Sequence, residues 1–275
     1  MQTIVISLTT TRSRLPICAH TVWSLLQQEC QPTKIIVWVS NEPYLLDEGI
    51  KEEPEWAAKF RGLSAILEFR WTSNTGPYRK LFPMLQLADL ETVIVYADDD
   101  AIYQKQWLKK LITKFTENNQ NKAVAARVRK KTRNLFGGYV SYMLMPLVLK
   151  EETLTRDFIA TGIGGVVLKR SFIQDRFVAS QDFLKICPTT DDLWISEILE
   201  RSHTSLVACP DALSEIIDIS PEEGLCKTNN LFSTSILFKI LNKLKSYTLG
   251  WLGISLCKND ANLKAIKMHF SRISG

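Results

Sequence analysis

Histidine is scarce in this 275-residue chain, at three residues (His20, His203 and His269), and no order of Ser, His and Asp suggests a hydrolase triad. Cysteine is present six times (Cys18, Cys30, Cys187, Cys209, Cys226 and Cys257), but no C-x-x-C pair occurs and no histidine joins the thiols at zinc-ligand spacing. Disulfide scaffolds belong mostly to small secreted domains, so the thiols read as reduced and the compartment as cytoplasmic. No GKS or GKT follows a glycine loop, and Gly162-Ile163-Gly164-Gly165 is not a G-x-G-x-x-G fingerprint. Kinases, dehydrogenases and serine hydrolases lose support accordingly. No stretch reaches the roughly 20 apolar residues that span a bilayer. Met1-Gln2-Thr3 runs into Ile4-Val5-Ile6 without a basic leader, which reads as a strand and not a signal peptide.

What is present is ordinary in bulk and uneven in layout. Hydrophobic residues make up 45% and charged residues 23%, as in a soluble globular protein. The length suits one large domain, or one domain with an appendage. The net charge of +5 is concentrated near the end. From Cys226 onward, Lys227, Lys239, Lys243, Lys245, Lys258, Lys264, Lys267 and Arg272 face only Asp260. Such a tail suggests an anionic partner.

Ile4 to Leu8 reads as a buried strand, followed by a helix over about 16–28 and a second strand over 34–40. This strand–helix–strand opening predicts a parallel α/β sheet. The segment 42–63 reads as helical and polar, interrupted by Pro43 and Pro54. Further strands are expected at 67–71, 92–96, 123–128 and 166–168, with weaker ones at 206–208 and 216–219. Helices are expected from Lys80 to about 87, over 104–115, and from Asp191 to about 200 with Thr190 as a plausible N-cap. Arg127 to Arg133 is a basic run, read as a solvated loop or a contact for an anionic ligand.

Three segments carry candidate chemistry. The strand Thr92–Tyr96 runs into Asp98-Asp99-Asp100, and ligands of open α/β sheets bind at strand carboxyl ends. Three adjacent carboxylates repel unless compensated, and their oxygens suit Mg²⁺ or Mn²⁺. The other reading is an Asp-rich turn before the next helix. An extended backbone would put Asp98 and Asp100 on one face and Asp99 on the other. Asp191-Asp192 opens a helix, where acids favour the helix dipole or where one of them could serve as a general base. Arg79 or Lys80, after the Gly76-Pro77 turn, could reach a diphosphate or stand as exposed charges at a helix start.

In their order, SLTTTRSRL, SLLQQECQPTKIIVWVS, NTGPYRKLFP, YADDDAIY with Trp107, TGIGGVVL and PTTDDLWIS resemble a GT-A glycosyltransferase of the family 2 type. The likeness covers roughly residues 1 to 200 and is nearest to bacterial enzymes that assemble surface polysaccharide, such as capsule or lipopolysaccharide. It implies an α/β, Rossmann-like, mostly parallel central sheet flanked by helices. A catalytic domain is expected over 1–230, and the tail, which falls outside the resemblance, reads as a basic helical extension over 231–275. The resemblance implies a nucleotide-sugar donor, a glycan or lipid-linked saccharide acceptor, and Mn²⁺ or Mg²⁺ at Asp98 and Asp100. Asp99 would lie close to the donor sugar or ribose. Thr9, Arg12, Lys80, Gly164 and Gly165 would line the donor site. Asp192, with Asp191 as the other choice, would be the base of a single inverting displacement. The pair reads Asp-Asp where the family often has Glu-Asp, and Ser40-Asn41-Glu42 stands where family members often carry acids after the second strand.

Two rivals use the same features: a sugar-nucleotide nucleotidyltransferase and a non-catalytic carbohydrate- or nucleotide-binding scaffold. The first normally has a glycine- and Arg-rich loop after the first strand, where this chain is Thr-rich without glycine. Nucleic acid is not an expected partner, because aromatic platforms are absent from the basic tail. Within that tail Ile236, Leu237, Ile240, Leu241 and Leu244 fall at helical spacing among lysines, and a second helix is expected over about 261–272. A basic amphipathic helix of this kind either lies on an anionic membrane surface or packs back on the domain.

Overall fold

The computed structural model describes residues 2–219 and 247–273. Strand β1 (Ile4–Thr9) is buried from Val5 to Leu8, as an inner parallel strand must be when helices cover both faces. Its one polar core residue is satisfied: the Ser7 hydroxyl donates to the Lys80 carbonyl at 2.6 Å and accepts from the Trp38 indole at 3.0 Å.

β1 pairs in parallel with β2 (Lys34–Val39) and with β4 (Val93–Tyr96), and β2 pairs in parallel with β3 (Leu67–Trp71). The short strands β5 (Ala101–Tyr103), β6 (Ala123–Ala125), β7 (Val128–Lys130), β8 (Thr153–Leu154), β9 (Phe158–Ala160), β10 (Val166–Lys169), β11 (Leu206–Ala208) and β12 (Ile216–Asp218) follow. The main sheet has the order β3-β2-β1-β4-β10-β6-β11-β8. β10 runs antiparallel between β4 and β6, while β11 is parallel to β6. β5 pairs with β12, and β7 with β9, in two small ribbons.

Period-two alternation splits the core between the two sheet faces. Ile6, Leu8, Val93 and Val95 pack with Val22 and Leu25 of α1 (Leu15–Leu26) and with Leu108, Leu111 and Phe115 of α4 (Trp107–Glu117). α2 (Glu55–Leu63) lies on that side through Ala57. Val5, Ile94 and Tyr96 face the other layer, with α3 (Phe82–Leu87), α5 (Asp175–Ala179), α6 (Phe183–Ile186) and α7 (Asp191–Arg201). The short α8 (Pro210–Leu213) packs on α4. The α/β class, with a mostly parallel central sheet between helices, is as expected from the sequence.

Several local expectations are corrected. The segment from Glu42 is not helical before Glu55. Asp47 accepts hydrogen bonds from the backbone N–H groups of Arg12 and Gly49, and such side-chain bonds compete with helix formation. A 3₁₀ turn (Gly76–Lys80) precedes α3, so Lys80 ends the turn and does not start the helix. The basic run is neither all loop nor all solvated: Val128–Lys130 is strand β7, and Lys131 is buried between Glu197 at 3.5 Å and Glu200 at 2.7 Å. Thr190 does not cap α7 with its side chain; its hydroxyl accepts from Asn262 Nδ2 at 2.5 Å.

That last contact comes from α9 (Lys258–Ile273), which closes over α7. Leu263, Ile266 and Phe270 are buried in the core, with Phe270 against Trp194 and Phe177. Full burial of such side chains contributes about 1.5–3 kcal/mol each, which holds in place a helix that would be marginal alone. The expected helix over 236–244 and the expected boundary near 230 lie outside the described residues.

Candidate active site

The acidic triplet follows β4 after Ala97, at the carboxyl edge of the parallel strands. The chain bends at Asp99 and Asp100, so the alternation expected of an extended strand does not carry through. Asp99 and Asp100 turn together onto Arg14, whose Nη2 lies 2.7 Å from Asp99 Oδ1 and 2.6 Å from Asp100 Oδ2. Asp98 parts from them and meets Lys80 Nζ at 2.6 Å. Burial pushes the Asp99 carboxyl up to about 6, although Arg14 and the Thr10 hydroxyl pull it down.

Lys80 is the hub of the second cluster. Its ammonium lies 2.8 Å from Asp191 Oδ2 and 3.9 Å from Asp192 Oδ1, in addition to Asp98. Desolvation alone would pull the Lys80 ammonium down, but Asp191, Asp98 and Asp192 outweigh it and hold it protonated well above the ordinary lysine range. Two elements far apart in sequence thus share one cation: the loop after β4 and the first turn of α7.

The two aspartates of α7 differ. Asp191 has 10% of its side chain exposed and is tied to Lys80. Asp192 has 27% exposed; its Oδ1 accepts from the Gly162 N–H at 3.0 Å, and its backbone carbonyl accepts from Ser196 Oγ at 2.6 Å. Burial first, and then the neighbouring Asp191, raise the Asp192 carboxyl to about 7 against the pull of Lys80. Asp191 is raised as well, again chiefly by burial. Tyr96 lies within this field, with its ring 5.7 Å from Lys80 Nζ and its buried hydroxyl without a hydrogen-bond partner among the described residues.

The glycine cluster after β9 fits this centre by having no side chains. A Cβ at Gly162 would stand 2.4 Å from Lys80 Nζ and 2.7 Å from Asp98 Oδ1. Gly164 and Gly165 face the packing behind the site. The Gly164 carbonyl accepts from Trp107 Nε1 at 2.9 Å, and a Cβ at Gly165, where φ is +81°, would stand 2.3 Å from the Trp107 ring. Trp107 and the two glycines therefore set the floor beneath the loop that carries Gly162.

Thr9 and Arg12 are placed differently from Lys80. The Thr9 hydroxyl donates to the Trp38 carbonyl at 2.8 Å, joining β1 to β2. Arg12 is exposed, with its guanidinium 3.8 Å from Glu48. Arg79 is buried against Asp47 at 2.8 Å and also donates to the Thr10 carbonyl at 3.1 Å. Asp47 is thus the buried acid beyond β2. Its position in a segment expected to be helical hid it from the sequence reading. Arg14 was also missed; its only signal was that it follows Arg12 by two residues in the Thr-rich loop. Gly162 stood within a noted cluster, but only the bulk of Lys80 singles it out.

As for a metal, no three His, Cys, Asp or Glu side chains converge into a cage among the described residues. Mg²⁺ asks for less, commonly one or two carboxylates together with phosphate oxygens and water. Asp98 and Asp100 offer oxygen donors of that kind, so their chemistry fits Mg²⁺ or Mn²⁺. Lys80 and Arg14 neutralise those oxygens here.

Among curated proteins none matches the chain. A solved structure of S. aureus TarS 1-349 in complex with UDP matches with a TM-score of 0.51 at 13% identity, over 76% of this chain and 58% of that one. A second structure of S. aureus TarS 1-349 gives 0.48 at 16% identity, over 77% and 58%. A 4-diphosphocytidyl-2C-methyl-D-erythritol synthase gives 0.48 at 11% identity, over 81% and 95%. The chain thus spans 58% of the TarS chain it superimposes on, and at 13% identity that likeness is one of fold. The family described as glycosyl transferase family 2 matches residues 8–175, from within β1 to the start of α5. With more than half of its length matched, and with its acidic triplet at the edge of a mostly parallel sheet, the chain belongs to glycosyl transferase family 2 and has its GT-A fold.

Proposed function

We propose that the protein transfers a sugar from a nucleotide-sugar donor to a hydroxyl of a glycan or lipid-linked saccharide, with inversion at the anomeric carbon, in the assembly of a bacterial surface polysaccharide. The observation that carries this reading is the paired cluster at the end of β4: Asp98, Lys80 and the Asp191-Asp192 pair, with Asp99 and Asp100 on Arg14 beside it. A carboxylate that accepts a proton near pH 7 stands next to cations suited to a departing diphosphate.

Asp192 is the base. It is the more open of the pair, and one of its oxygens is oriented by the Gly162 N–H. It takes the proton of the acceptor hydroxyl as that oxygen bonds to the anomeric carbon. The bond from that carbon to the diphosphate oxygen breaks, and the electron pair leaves with the nucleoside diphosphate. Asp191 stays on Lys80 and holds the ammonium in place. Arg14 and Lys80 present positive charge toward the diphosphate, and Asp99 lies near the donor sugar or ribose. Mg²⁺ or Mn²⁺, if held by Asp98 and Asp100, would neutralise charge on the diphosphate. The TarS structure contains UDP, which makes uridine diphosphate sugars the first donors to test.

Anomeric NMR of the product from a donor and acceptor screen tests the reading. Inverted configuration is expected, and Asp192→Asn should lower kcat by about 10²–10⁴-fold while donor binding persists. The wild-type kcat/KM should rise with pH through about 7, as the Asp192 carboxyl loses its proton. Retained configuration, or an Asp192→Asn enzyme of wild-type rate, would count against it.

A further inference from the structure

Away from the site, large apolar side chains gather at the surface where two turns meet. Leu135 and Phe136 stand at the tip of the turn after β7, with 87% and 79% of their surfaces exposed. Tyr247, Trp251, Leu252 and Ile254 are exposed on the helix over 247–251 and the turn beyond it. The two turns are bonded together: Asn134 Nδ2 donates to the Trp251 carbonyl at 3.1 Å, and the Ser141 N–H donates to the Gly250 carbonyl at 2.8 Å. Asn134 Oδ1 also accepts from the Phe136 N–H at 3.0 Å and so fixes the tip. Monomeric proteins rarely leave so many large apolar side chains in one exposed patch without a use.

Cations border the patch. A cavity of about 240 Å³ beside it is lined by Leu252, Tyr139, Lys264 and Lys267. Lys267 Nζ lies 3.3 Å from the centre of the Tyr139 ring, and the Arg133 guanidinium carbon lies 4.5 Å from the same centre. Neither Lys264 nor Lys267 has a carboxylate within ion-pair distance among the described residues. Lys258 is exposed four residues after Ile254. The adjoining acid, Asp260, is buried and spends its oxygens on Ser141, Tyr142, Leu256 and Cys257. An apolar patch with Trp and Tyr, edged by lysines without acidic partners, has the chemistry of an interfacial membrane anchor.

We infer that this surface, built from Leu135–Phe136 and residues 247–254, seats the protein on an anionic lipid surface. The occupant is set by charge: a neutral apolar partner would leave Lys258, Lys264 and Lys267 unmatched, whereas acidic headgroups match them.

The test is flotation of the full chain with vesicles of phosphatidylcholine alone and of phosphatidylcholine mixed with phosphatidylglycerol. Wild type should float with the anionic vesicles, weakly with the neutral ones, and less as salt is raised. Phe136→Ser with Trp251→Ser, and separately Lys258→Glu with Lys264→Glu, should each reduce the floated fraction by roughly tenfold or more. Both double variants change exposed side chains, and unchanged thermal midpoints would show that they fold. Failure of wild type to float, or flotation of Phe136→Ser/Trp251→Ser at the wild-type level, overturns the inference. Flotation needs no nucleotide and should be the same for Asp192→Asn, so failure of the transferase reading would show separately.

Discussion

Lys80 is the residue on which the site depends. Burying an ammonium is costly, and it is sustained here by three carboxylates within 4 Å. Removal of the cation leaves Asp98, Asp191 and Asp192 facing one another without compensation. Lys80→Met should therefore destabilise the fold by about 3–5 kcal/mol at pH 8, measured by denaturant unfolding. The pH dependence has a definite sign. Asp192 binds its proton more tightly in the folded chain than in the unfolded one, so its ionisation removes stability as pH rises from about 4 through about 7. In Lys80→Met that loss should be larger and extend to higher pH, with the two proteins converging toward pH 4. A loss independent of pH would mean that Lys80 contributes packing and not charge. The lysine was legible in the sequence as a donor-site candidate. Its pairing with Asp191 was not, because the residues are 111 positions apart and meet only once β4 and α7 are assembled.

At the scale of elements, the site is set by a few tight approaches. The turn over 162–164 must pass between Lys80 and Trp107, and glycine alone fits at both ends. At Gly165 the positive φ and the Trp107 ring exclude a side chain together. Gly165→Ala should cost about 1–3 kcal/mol or more in unfolding experiments, and the lost activity should not return on cooling, since the turn carrying the Gly162 N–H is displaced from Asp192. Wild-type activity in a destabilised Gly165→Ala would show that the turn does not position the base. Long periodic elements such as β1, β2, β3 and α1 were readable from apolar spacing alone. The segment from Glu42 to Pro54 was not, because its polar composition suits an exposed helix, whereas Asp47 organises it as a loop through hydrogen bonds to residues distant in sequence. The bend at Asp99 was hidden for a similar reason: it depends on Arg14 reaching two carboxylates at once.

Over the whole molecule, the sheet gathers its chemistry at one edge, and α9 completes the layer behind it. Five described cysteines are free. No described helix is long and apolar enough to cross a membrane. The family, the fold and the location of the acidic triplet were all legible in the order of the sequence motifs. The division of labour among the cations was not, since Arg12, Arg14, Arg79 and Lys80 all read as nearby positive charges and their partners appear only when the fold places acids beside them.

The most direct measurement is thermal stabilisation by a panel of nucleoside diphosphates, each with and without Mn²⁺, on wild type and Asp100→Ala. Selective binding raises the midpoint by mass action, equivalent to about 2.7 kcal/mol at a hundredfold excess over Kd. The account predicts a shift with one base, larger with Mn²⁺ and lost or much reduced in Asp100→Ala. A folded wild type that responds to no nucleotide, or an Asp100→Ala protein that responds as wild type does, would contradict a donor site at the end of β4.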